Sequence, residues 1–135
     1  MSLRLMFGLS LLGLAMAVAT VFVVPLRIEP ALWVGIFVFS AVLIAKRAPR
    51  SFFLHGVLVS LLDSVWVAGA HAALFDQYVH GHGHVVAMAA RYGSPLMVLA
   101  LAAVAAGIAA GVLLGVLAWV SSKFVVSSQS EFAGW

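Results

Sequence analysis

"FFLHGVLVSLLDSVWVAGAHAALF", residues 52–75, decides the fold. A helix needs about 20 mostly apolar residues to cross the roughly 30 Å of bilayer hydrocarbon. This stretch has that length, with Asp63 near its middle and His55 and His71 toward its ends. A central aspartate costs roughly 2.5–3.5 kcal/mol of insertion free energy, against about 0.3–0.6 kcal/mol gained for each Leu, Ile, Phe or Val. The segment therefore enters the membrane and takes its carboxyl group with it. Three further apolar runs have the character of spans, at about 5–24, 31–45 and 95–120. The expected fold is all-α: an integral membrane protein with four transmembrane helices in a compact bundle, a single domain over residues 1–135.

Composition agrees. Hydrophobic residues make up 65% of the 135 and charged residues 8%, far from the roughly 45–50% and about 25% of soluble domains. The net charge of +3 comes from residues scattered between apolar runs, so no basic patch for nucleic acid exists. Without a cysteine there are no disulfides, thiolate metal sites, iron–sulfur clusters or thiol nucleophiles.

The breaks between runs carry the expected punctuation. Pro25 and Pro30 bracket a turn, with Glu29 expected as helix N-cap and Pro30 as first helical residue. Lys46, Arg47, Pro49 and Arg50 separate the second and third spans, and Ser94 with Pro95 starts the fourth. Short positively charged loops stay cytoplasmic. Arg4, Lys46, Arg47, Arg50 and Lys123 fall on one side, Arg27 and Arg91 on the other. Both termini are thus expected in the cytoplasm, in the inner membrane of a bacterium, with a loop at 76–92 outside. Trp33, Tyr78 and Tyr92 then belong to the outer aromatic belt and Trp119 to the inner one. The start of the chain shares features of a signal peptide, namely Arg4, an apolar run and the small residues at 17–19. Apolar residues continue to Val24 without a polar cleavage segment, which favours a retained span.

In the fourth span Ala103, Gly107, Gly111 and Gly115 recur every four residues. Small residues at that spacing let two helix backbones approach closely. The stripe is expected to pack within the chain, against Gly13 and Ala17 of the first span, or alternatively between copies in a homo-oligomer.

Asp63 has no Lys or Arg at its depth in any other span, and its expected polar company is Ser60, Ser64 and Ser40. Burial without a counter-charge disfavours the ionised form, so a neutral carboxyl group or one facing a wet cavity is expected. His55 and His71 each lie eight residues away, about 12 Å along the helix axis. With Ser60 and Ser64 they suggest a proton or ion pathway. In size and span number the chain resembles the small multidrug resistance transporters, antiparallel dimers of four-helix chains with a membrane-embedded carboxylate. That family carries a glutamate in its first span, whereas here no charge lies between Arg4 and Arg27, and the resemblance is one of architecture.

The loop contains "HGHGH" at 80–84. Alternate histidines share one side of an extended chain, and imidazoles suit zinc, copper or nickel. His80, His82 and His84 are therefore candidate ligands for a divalent transition metal on an unframed loop. Asp76 and Arg91 are placed to close that loop as an ion pair, and "VVAMAA" at 85–90 to lie on the membrane surface or against the spans. No nucleophile elbow, phosphate loop, zincin motif or close carboxylate pair is present, and no facing histidines are placed for haem. The leading expectation is a non-enzymatic accessory, assembly or structural subunit in the lipid bilayer with a larger membrane-protein partner. The alternative is a proton-coupled small-solute or ion transporter acting as a homo-oligomer, with Asp63 titrating. A third reading is external metal binding or sensing.

Overall fold

The computed structural model describes residues 3–48 and 50–132, with side chains as far as residue 125. Pro49, assigned to the break between the second and third spans, lies outside the described residues. Six helices follow one another: α1 (Leu3–Phe22), α2 (Glu29–Arg47), α3 (Phe52–Ala73), α4 (Phe75–Gly81), α5 (Gly83–Tyr92) and α6 (Pro95–Phe132). No strand occurs among the described residues. Four helices, α1, α2, α3 and α6 as far as Val125, are long and apolar enough to cross a membrane.

Several boundaries differ from expectation for local reasons. At 19 residues α2 loses its apparent shortness. Its N-cap is Ile28, without a side-chain hydrogen bond, and Glu29 is the first helical residue. A carboxylate there complements the partial positive charge of the helix start, and its side chain is released to point elsewhere. Helix α6 starts as expected, where Ser94 Oγ accepts the Met97 N–H at 3.2 Å and the chain arrives through Gly93 at φ 120°, a conformation open to glycine. Its 38 residues reach roughly 57 Å, well beyond the expected end at 120 and beyond the hydrocarbon thickness.

The segment expected as an open loop is two short helices that meet at His82. Val85 and Ala89 are buried, which tucks one face of α5 against α6. The Asp76–Arg91 pair does not form; Arg91 instead lies over the Tyr92 ring at 5.4 Å.

Helices α3 and α6 run antiparallel at the centre, with α1 beside α3 and α2 beside α6. The glycine stripe makes the central seam. A side chain on Gly56 would strike the backbone of Leu114 and Gly115, Gly115 lies on the Phe53 ring, and Gly107 faces Ser64. The stripe therefore packs within the chain, but against α3. The expected partners Gly13 and Ala17 belong to α1, which does not touch α6 among the described residues. On α3 the complementary positions Gly56, Ser60 and Ser64 also recur every four residues.

Packing is uneven along the helix axes. Met6, Leu9, Ala41, Ile44, Ala48, Val59, Leu114 and Ala118 form the apolar core, all toward the end that carries Lys46 and Arg47. Arg4 and Arg47 border one groove and so share that end of the molecule. The other half packs Met16, Ala17, Val85, Ala89, Val98 and Leu99 around an open space.

Candidate functional site: the cavity at Asp63

A cavity of about 370 Å³, open on one side, occupies that half and is lined by residues of all four long helices and of α4. Helix α6 creates the space by presenting Ala102, Ala103, Ala106 and Ala110 where larger side chains would fill it. Helix α2 contributes Glu29, Trp33 and Phe37. Helix α3 contributes the polar face, with Ser60, Asp63, Ser64 and His71.

Asp63 is 4% exposed. Its carboxyl lies against Gly13, where a Cβ would collide with Oδ1, Cγ and Cβ of the aspartate. Among the described residues Oδ1 has no hydrogen-bond partner. Leaving a buried acceptor unpaired costs on the order of 1–3 kcal/mol, and more for a charged group.

The hydroxyls around it have spent their protons on the backbone. Thr20 donates to Ala17 O at 2.8 Å, Ser64 to Leu61 O at 2.8 Å, and Ser60 toward Gly107 O at 3.5 Å. A hydroxyl carries one proton and two lone pairs, so each offers lone pairs alone to the cavity. Thr20 Oγ1 also lies 3.3 Å from His71 Nε2, a contact in which the Nε2–H tautomer of His71 donates to a Thr20 lone pair.

Above His71 the rings form a column. His71 stacks on Tyr78 at 3.9 Å between centroids, Tyr78 on His82 at 4.2 Å, and His84 meets His82 edge-on at 5.8 Å. His82 Nδ1 donates to Tyr78 O at 3.0 Å. That leaves Nε2 as an acceptor in the neutral ring, 3.9 Å from Glu29 Oε2, so this contact becomes attractive on protonation. The other Glu29 oxygen accepts Trp33 Nε1–H at 3.3 Å. Burial, and then the Glu29 carboxylate, hold the Tyr78 phenol above its ordinary ionisation range.

Asp63, His71, Ser60 and Ser64 thus share one cavity, whereas His55 does not reach it. His55 is fully buried in the packed half and donates from Nδ1 to Ser51 O at 3.0 Å. The three loop histidines do not converge on one point: His84 touches the edge of His82, and no ring contact joins His80 to either among the described residues. His82 is buried in the ring column while His80 and His84 are exposed, and no group of three or more candidate ligands gathers among the described residues. Trp33 and Tyr78, expected in the outer aromatic belt, turn inward to the cavity. Glu29, Thr20 and Gly13 escape sequence reasoning because their roles depend on which helices meet. Family models, curated proteins and solved structures contain no match to this chain.

Proposed function

We propose that the protein is a membrane transporter for a small solute, coupled to protons through Asp63. The observation that carries this reading is a buried aspartate in the wall of a cavity of about 370 Å³, one of whose carboxyl oxygens has no hydrogen-bond partner among the described residues. Ionisable groups placed inside a membrane protein are costly and characteristically serve ion or substrate pathways. A carboxyl group that must give up its proton to receive a solute links the movements of the two. His71, Tyr78 and His82 lie between Asp63 and the α4–α5 corner, and they form the route by which protons reach the cavity.

The test is solute-induced proton movement. Proteoliposomes containing a pH-sensitive dye are challenged with a panel of small amines, alcohols and carboxylates. At least one class changes internal pH with the wild-type protein, and Asp63→Asn abolishes the response while the protein remains folded by circular dichroism. A panel that moves no protons, or an undiminished response in the variant, overturns the reading. The accessory-subunit alternative predicts a stoichiometric larger partner on native mass spectrometry after extraction in mild detergent.

A further inference from the structure

We propose that the ligand of this cavity is a small organic amine in its protonated, N–H-bearing form, carrying an apolar body of about one ring. The proposal rests on the transport reading for the direction in which the ligand travels, while its binding is measurable alone.

The argument is a count of protons. Ser64 and Thr20 donate to backbone carbonyls at 2.8 Å, which leaves them lone pairs alone to offer, while Ser60 points toward Gly107 O at 3.5 Å. Asp63 Oδ1 accepts and has no donor among the described residues. Glu29 is a second acceptor at the wall. The donors there are mostly engaged: Trp33 N–H is held by Glu29 and His71 Nε2–H by Thr20, which leaves the Tyr78 hydroxyl. Among the described residues no Lys or Arg lines the cavity. A surface that accepts almost everywhere selects a ligand that donates.

Charge narrows the choice. A carboxylate ligand would meet Asp63 and Glu29 with no cation between them. An alcohol brings one proton and no charge. An ammonium group brings two or three protons together with the charge, and charge-assisted hydrogen bonds are roughly twice as strong as neutral ones. A quaternary ammonium matches the charge but has no proton to donate, so it makes no N–H hydrogen bond to the Asp63 carboxylate.

Shape supplies the rest. The α6 wall is alanine, and Trp33 and Phe37 face it from α2. Aromatic faces also attract cations. The volume sits near the lower end of the roughly 300–1,000 Å³ usual for small-molecule sites, and the apolar wall is far larger than a bare metal cation needs.

The experiment uses the full chain in nanodiscs, with binding read by calorimetry and tryptophan fluorescence. The probes are 2-phenylethylamine, its trimethylammonium analogue, 2-phenylethanol and 3-phenylpropionate, with sodium chloride as competitor. The amine is expected to bind at least about tenfold more tightly than each of the other three, in keeping with the strength of charge-assisted bonds. Asp63→Asn should remove that preference. Ala103→Leu, at a half-buried position of the wall, takes up cavity space and keeps the carboxyl, and should abolish amine binding as well. Equal binding by the quaternary analogue or the alcohol, tighter binding by the carboxylate, saturation by none of the four, or displacement of the amine by sodium overturns the assignment. Amine binding without proton movement removes transport and leaves the ligand standing. Proton movement driven by a carboxylate or an alcohol does the reverse.

Discussion

Gly13 has no side chain at the point where Asp63 presses its carboxyl against α1, and a single methyl group there would overlap Oδ1, Cγ and Cβ of the aspartate. The absence of a side chain on one helix thus sets the position of the charge on another. Gly13→Ala should destabilise the protein by about 1–3 kcal/mol, the usual cost of overpacking, because the nearest atoms belong to a short side chain with little freedom to move away. In the Asp63→Ala background the same change should cost less, because Oδ1 and Cγ are gone and only the Cβ remains in the way. A double-mutant cycle from chemical unfolding in micelles measures the coupling, expected at about 0.5–3 kcal/mol for residues in contact. Strict additivity would break the link.

The α3–α6 seam makes a graded prediction. At Gly56 a new Cβ would meet backbone atoms of Leu114 and Gly115 at 2.7–2.8 Å, whereas at Gly111 it would rest on Val57 at 3.5–3.6 Å, an ordinary contact. Backbone cannot swing aside as a side chain can. Gly56→Ala should therefore cost about 1–3 kcal/mol, and Gly111→Ala should stay within about 0.5 kcal/mol of wild type. Thermal unfolding in detergent ranks the two, and a reversed order would contradict the seam.

The three histidines of residues 80–84 should behave differently from one another. His82 is 6% exposed, stacks on Tyr78 and donates to its backbone carbonyl. His82→Ala loses a ring pair worth about 0.5–1.5 kcal/mol and a hydrogen bond worth about 0.5–1.5 kcal/mol. His80→Ala, at an exposed position, should be close to neutral. Equal losses from both changes, read by thermal unfolding, would mean that the column does not hold the α4–α5 corner.

How far the sequence could be read depends on the distance over which each feature is determined. Four spans follow from run length and hydropathy, and the start of α6 from Ser94 beside Pro95, because a cap is a contact over three residues. The glycine period of α6 was visible for the same reason, but its partner was not. Gly56, Ser60 and Ser64 carry the matching period on α3, and pairing the two stripes would have found the seam. Asp63 stood out as an expensive residue, yet the cavity around it is made by alanines of α6 and by Glu29 and Trp33 of α2, none of them unusual in its own segment. The burial of His82 is not legible in the sequence, because "HGHGH" reads locally as an unframed chain. The stack that orders it comes from Tyr78, four residues earlier, once both lie on a helical turn.

Tyr78 gives a pH test. Burial and the Glu29 carboxylate raise its ionisation above the ordinary value, near 10 for a free tyrosine. The folded state thus disfavours the phenolate. By linkage, the stability this group contributes is complete below the unfolded-state value and is lost as pH climbs through the higher folded-state value. In a Tyr92→Phe background the phenolate absorbance should rise later than in a denatured control, and unfolding should become easier over that alkaline interval. Glu29→Gln should bring the titration part of the way down and no further, since burial is the larger cause. A titration matching the denatured control would separate Tyr78 from the cavity wall. Full relaxation to the ordinary value in the variant would make Glu29, and not burial, the dominant influence on the ring.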